Sequence, residues 1–118
     1  MRGCLFAVVT AGIVGPRNIA VIRGSAATFD CVIDAPKSEV CWTGQSALST
    51  IHNHLYDKGE LTPYCGDNKC NVTFDNKTSR YSLTINSVQH YDAGLYLCRK
   101  CDEEDEQEAQ LIVLQTGE

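Results

Sequence analysis

Seven cysteines in a chain of 118 residues constrain this protein more than any other feature of its sequence. A reducing cytosol would hold them as thiols and give no reason to keep so many. The usage points to an oxidising compartment and a domain stapled by disulfides. The odd count leaves one cysteine over, either as a free or removed thiol or as half of an intermolecular bridge. The length allows one domain with one modest core. A net charge of −5, from 10 basic against 15 acidic residues, argues against a nucleic-acid backbone as partner. With 43% hydrophobic and 21% charged residues, general disorder is excluded.

Met1-Arg2 followed by the apolar run from Gly3 to Val14 is similar to the start of a secretory signal. It is too short to span a membrane, and its removal would take Cys4 away and leave six cysteines. The same residues also read as a first strand, and both readings stay open. Residues 1–13 are therefore set apart as a signal-like segment or extra strand, residues 14–115 as the domain, and residues 116–118 as the start of a linker to a downstream region. Within the domain, short β patterns alternate with turns. Ala27, Phe29, Cys31 and Ile33 fall on one face. Tyr81, Leu83 and Ile85 alternate with Ser82, Thr84 and Asn86. Val40–Thr43, Ile51–Tyr56, Val72–Phe74, Gly94–Cys98 and Ala109–Leu114 add further strands. Eight or nine short strands without helical periodicity predict an all-β sandwich.

Cys31, Trp42 and Cys98, with Asp92-Ala93-Gly94-Leu95-Tyr96-Leu97-Cys98, match the Cys…Trp…Asp-x-Gly-x-Tyr-x-Cys pattern of immunoglobulin domains. Gly24, seven residues before Cys31, and the strand Tyr81–Val88 fit the same pattern. The chain thus resembles the immunoglobulin superfamily over residues 14–115. The 67-residue step from Cys31 to Cys98 makes it similar to the variable (V-set) type of non-rearranging adhesion or innate immune proteins. The resemblance implies a two-sheet sandwich in which Cys31 and Cys98 are bridged across the sheets under Trp42. It gives Tyr96 the role of a tyrosine corner, and Asp92 the role of an acid that pairs with an Arg. The matching slot lies near Asn71 and holds no Arg, so Lys69 or Arg80 is the candidate substitute. The Phe/Trp-Gly-x-Gly bulge of antigen-receptor domains is missing at Ala109-Gln110-Leu111-Ile112-Val113, so receptor-style domain pairing is not implied.

Within that fold, strands C and F are neighbours. Alternation from Trp42 and Cys98 turns Cys41 and Cys101 to the outer face, where they are expected to bridge each other. Cys65 and Cys70 flank the turn Gly66-Asp67-Asn68-Lys69 and are expected to close a small loop. Six cysteines allow 15 pairings, so these assignments are expectations. A zinc site from Cys65, Cys70, Cys98 and Cys101 conflicts with the core role of Cys98, and no metal or other cofactor is expected.

His52 and His54 share one strand face, read as an exposed face rather than a ligand pair. His90 reads as a solvated turn residue. No nucleophile–base set or phosphate loop is present in the sequence, so an enzyme is not expected. Asn71-Val72-Thr73 and Asn76-Lys77-Thr78 are glycosylation sequons, both around strand D and away from the G-F-C sheet. Six of the seven residues from Asp102 to Glu108 are acidic. The run is expected to span the F–G turn and to steer a basic partner.

The resulting expectation is an extracellular recognition domain, on a cell surface or secreted, that binds a protein partner. That partner is another immunoglobulin-type domain or a second copy, with no nucleic acid and no direct membrane contact. The binding face is expected on strands G, F, C and C′: Thr43, Gln45, His52, His54, Leu97, Arg99, Asp102, Glu103, Glu104, Asp105 and Ile112, with Leu97 as an exposed apolar contact. The alternative is a secreted innate immune domain that binds a foreign or microbial ligand through its loops.

Overall fold

The alternation of apolar residues resolves into nine strands in the computed structural model, which describes residues 13–115. The expectations for the signal-or-strand segment before Ile13, for Cys4 and for the linker at 116–118 lie outside these residues. The strands are β1 (Ile19–Ile22), β2 (Ala27–Val32), β3 (Val40–Ser46), β4 (His52–Asp57), β5 (Glu60–Leu61), β6 (Cys70–Asp75), β7 (Arg80–Ile85), β8 (Gly94–Lys100) and β9 (Glu106–Leu114). A six-stranded front sheet runs in the order β1-β9-β8-β3-β4-β5, and a three-stranded back sheet in the order β2-β7-β6. The molecule is an all-β, two-sheet immunoglobulin-like sandwich, with no α-helix among the described residues.

The core follows from period-two burial. On β2, Ala27, Phe29 and Cys31 are buried and alternate with exposed Thr28 and Asp30. On β7, Tyr81, Leu83 and Ile85 are buried, and on β9, Ala109 and Leu111. Trp42 and Val40 meet them from β3, and the Phe29 and Tyr96 rings stack at 5.1 Å. Side chains from two facing sheets fill such a layer without a helix.

Pairing is antiparallel throughout except at the first strand. β1 runs parallel to β9, with Ile19 opposite Leu111 and Ile22 opposite Leu114. Just before it, Val14 bridges Val32 of the back sheet, so the chain passes from one sheet to the other at Gly15-Pro16. The E–F connection is a 3-10 turn, His90–Asp92, closed by reciprocal bonds between Gln89 and Asp92. Gly94 opens β8 at a φ of 151°, where a Cβ would strike the Gln45 carbonyl.

Three details depart from simple alternation. A register shift between Trp42 and Thr43 lets Leu55 and Tyr56, neighbours on β4, both face inward. The last strand begins at Glu106 rather than Ala109, so only Asp102–Asp105 of the acidic run form the turn. Glu106 and Glu108 stand on the strand itself, paired with Arg99 and Leu97. The two-residue β5, opposite Tyr56 and Asp57, had no signal in the sequence beyond the Lys58-Gly59 turn.

Candidate recognition surface

Three disulfides organise the surface around the core. Cys31 joins Cys98 across the two sheets, with Cα atoms 6.6 Å apart, and all atoms of the pair are buried. Trp42, opposite Cys98 on β3, packs in the same cluster, and its indole Nε1 is buried with no hydrogen-bond partner. Cys41 joins Cys101 at a Cα separation of 5.1 Å. In the register Cys41 is opposite Arg99, so Cys101 is its diagonal neighbour, on the same face two residues further along. This bond ties the first turn residue of the β8–β9 hairpin to β3, and the Cys101 N–H donates to the Glu39 carbonyl at 2.8 Å. Cys65 joins Cys70 across the local loop.

Asp57 lies beside the outer bridge, its Oδ1 3.2 Å from Cys41 Sγ. Although Cys41, Asp57 and Cys101 converge, both sulfurs are consumed by their own bond, so the trio is not a set of metal ligands.

At the opposite end of the sheet, Asp92 pairs with Lys69, Nζ to Oδ2 at 2.7 Å. Lys69 fills the role that an Arg plays in the resembled pattern. Arg80 sits at the far end of β7, opposite Asp75 and Val32. The Tyr96 hydroxyl donates to the Asp92 carbonyl at 2.5 Å. Burial, with the Asp92 charge as a second cause, pushes the Tyr96 phenol well above its ordinary value.

The outer face of the front sheet is laid out by the register. His54, Thr43, Leu97 and Glu108 form one cross-strand row, and His52, Gln45, Leu95 and Gln110 the next. Two expectations are corrected here. Leu97 does stand on the outer side, but it is only 4% exposed, and Thr43 only 7%. Both lie on the central strands β3 and β8, ringed by cross-strand neighbours at about 5 Å and same-strand neighbours at about 7 Å. Those side chains close over them, so neither offers a free contact. Gln45 and Arg99 are half-buried, while His52 and His54 are exposed. Asp102, Glu103, Glu104 and Asp105 are exposed on the hairpin, with Lys100 Nζ 4.0 Å from Glu103. Ile112 is 45% exposed.

Sequence reasoning missed two apolar residues beside this face. Leu48 and Ile51, in the β3–β4 turn, are more exposed than Ile112. Their signal was legible, since a turn otherwise built of Ser, Ala and Thr has no structural need for Leu and Ile. Asn71 projects from the outer side of β6, alternating with buried Cys70, and Asn76 lies in the exposed β6–β7 turn.

This fold and disulfide arrangement define an immunoglobulin-type domain, and comparison with known proteins fixes its branch. The model of the immunoglobulin I-set domain matches residues 13–114. The chain belongs to the immunoglobulin I-set family, which corrects the expected V-set assignment. It is 32% identical to the limbic system-associated membrane proteins of Rattus norvegicus and Mus musculus over 84 residues. The match takes in 71% of this chain but 22% of those relatives, so the chain spans about a fifth of their length. The crystal structure of the first Ig domain of mouse polymeric immunoglobulin receptor superposes with a TM-score of 0.71 at 20% identity. It covers 92% of this chain and 99% of that domain. At that identity the likeness is one of fold.

Proposed function

We propose that this domain is an extracellular recognition module, not an enzyme, that binds a protein partner through the outer face of the front sheet and the adjoining β8–β9 hairpin. The observation that carries this reading is the asymmetry of the two sheets. Both sequons, Asn71 and Asn76, lie on β6 and its turn in the back sheet, whereas exposed Ile112 and the acidic hairpin belong to the front sheet. Glycan on β6 would shield the back sheet and leave the front one for a partner. With Leu97 buried, the apolar contact falls to Ile112, with Leu48 and Ile51 at the neighbouring turn. Exposed apolar side chains at one end of this face and carboxylates at the other suit a contact in which the apolar part sets the lifetime and the carboxylates the encounter rate. Three disulfides support an oxidising, extracellular setting.

The partner class is another immunoglobulin-type domain, with a second copy of this chain as the first to test. Sedimentation of the purified domain over a range of concentrations reads self-association directly, and surface plasmon resonance reads a heterologous partner. Ile112→Arg should abolish binding through faster dissociation. Neutralising Asp102, Glu103, Glu104 and Asp105 should slow association and flatten its salt dependence. Normal binding by Ile112→Arg, together with loss on Thr28→Arg of β2, an exposed back-sheet position outside both sequons, would place the interface on the back sheet and overturn the reading.

A further inference from the structure

Strand β3 carries a glycine where its alternation turns side chains inward. Gly44 is two residues from fully buried Trp42, and a Cβ there would lie 3.0 Å from the Tyr96 ring and 3.3 Å from Leu55. Its cross-strand partner on β4 is Asn53. The pair that would ordinarily fill this end of the sandwich with apolar bulk is therefore a glycine and a carboxamide. Beside this pair lies a cavity of about 370 Å³ lined by residues of both sheets.

The chemistry of its walls narrows the occupant. Leu55, Ile85 and Tyr96 give an apolar floor, while Tyr64 and Tyr91, residues 61% and 53% exposed, also line it. Its two charged groups, Lys69 and Asp92, cancel each other at 2.7 Å, and Lys69 Nζ already lies 5.6 Å from the Tyr91 ring centre. No net charge remains to attract an ion. The Asn53 amide makes no hydrogen bond among the described residues, and Ser46 Oγ accepts only from the Leu48 N–H, leaving its own O–H to donate. A purely apolar occupant would desolvate these groups without repaying them.

We propose that this cavity is a carbohydrate site that takes a neutral pyranose, such as the terminal hexose of a glycan. Sugar hydroxyls donate and accept, as the Asn53 carboxamide and Ser46 hydroxyl do. The C–H face of the ring suits the amphipathic tyrosines. The volume lies within the range of small-ligand sites. The cavity opens beside the protein-binding face and shares Gln45 with it, but its test reads sugar binding alone and does not depend on that reading.

The test is an amide-correlation NMR titration of the intact domain with methyl glycosides of glucose, galactose, mannose and N-acetylglucosamine, each to about 50 mM, since single rings bind at millimolar strength. At least one should give saturable shifts centred on Gly44, Asn53 and Tyr91. Asn53→Ala and Tyr91→Ala should each weaken that binding about tenfold, the loss of one hydrogen bond or ring contact. Asn53→Leu should fill the cavity and abolish the shifts while the rest of the spectrum stays in place, which separates a lost site from a lost fold. Absence of saturable shifts at Gly44 with all four glycosides overturns the proposal. So does saturation centred elsewhere, or tighter binding of N-acetylneuraminic acid or tyramine than of any neutral sugar.

Discussion

Asp92 Oδ2 holds two donors at once, the Lys69 ammonium at 2.7 Å and the Gln89 backbone N–H at 2.8 Å. Lys69 in turn donates to the carbonyls of Asn86 and Ser87, at 3.2 and 3.3 Å. One ion pair thus fastens the turn before β6 to the E–F turn, and the Tyr96 hydroxyl fastens that turn to β8.

Removing Asp92 should cost more than removing Lys69, because the carboxylate satisfies a backbone donor as well as the cation. Asp92→Ala is expected to lower stability by about 2–3 kcal/mol and Lys69→Met by about 1 kcal/mol, in line with hydrogen bonds to charged groups. Lys69→Arg should stay near the parent. Urea denaturation of the four proteins checks the order, and equal midpoints for Asp92→Ala and the parent would contradict it.

Alkaline pH should destabilise the fold. Burial raises the phenols of Tyr56, Tyr81 and Tyr96 above the ordinary 10.0, with the charges of Tyr56 and Glu39 adding to it at Tyr81 and that of Asp92 at Tyr96. The folded chain therefore keeps these protons to higher pH than the unfolded chain does. The contribution is complete below pH 10.0 and is lost as pH rises above it. Denaturation midpoints from about pH 8 to about pH 12 should fall only in the upper part of that range. Tyrosinate absorbance should show phenols that ionise together with unfolding.

The three bridges should differ in what they support. Replacing Cys31 and Cys98 by Ala is expected to cost about 2–5 kcal/mol, the usual loss for a native bridge in a small secreted domain. Replacing Cys41 and Cys101 by Ser breaks no link across the core, because β3 and β8 are already paired from Val40 to Ser46. Its main effect should be faster hydrogen exchange at Cys101–Asp105. Peptide mapping without reductant should recover Cys31–Cys98, Cys41–Cys101 and Cys65–Cys70 as separate pairs. A crossed pair, or free thiols at these six positions, would contradict the assignment.

Leu97→Arg should act on the fold before it acts on binding. Placing a guanidinium at a site 4% exposed leaves a charge poorly solvated, and a loss of several kcal/mol is expected. Ile112→Arg, at a half-exposed site on β9 beside the edge strand β1, should change stability by about 0.5 kcal/mol or less. Thermal melts of the two variants distinguish the positions directly.

The frame of the fold was legible because it rests on local periodicity and on one long-range motif. Alternation around Phe29, Trp42, Tyr81 and Cys98 assigns each to the interior, and the Asp92–Cys98 segment names its neighbours in space. What could not be read needs register between strands. Alternation gives the side on which Leu97 stands but not what closes over it. The bulge at Trp42 and Thr43 turns two successive β4 residues inward, which no period-two reading allows. The cavity has Gly44 and Asn53 in its wall, cross-strand partners whose pairing is set by the length of the β3–β4 turn rather than by either residue. The subtype was misread because the span from Cys31 to Cys98 makes room for extra strands without specifying their size, and β5 is only two residues long.

The parallel pairing of β1 with β9 has a mechanical consequence. Tension applied between Ile19 and Leu114 pulls these two strands in opposite directions along their common axis. The ladder from Ile19–Leu111 to Ile22–Leu114 is then loaded lengthwise, in shear, and its hydrogen bonds must yield together. An antiparallel pair with both loaded ends on one side would instead open one bond at a time. The first and last strands therefore form a clamp that resists extension of the chain, independently of how stable the sandwich is at rest.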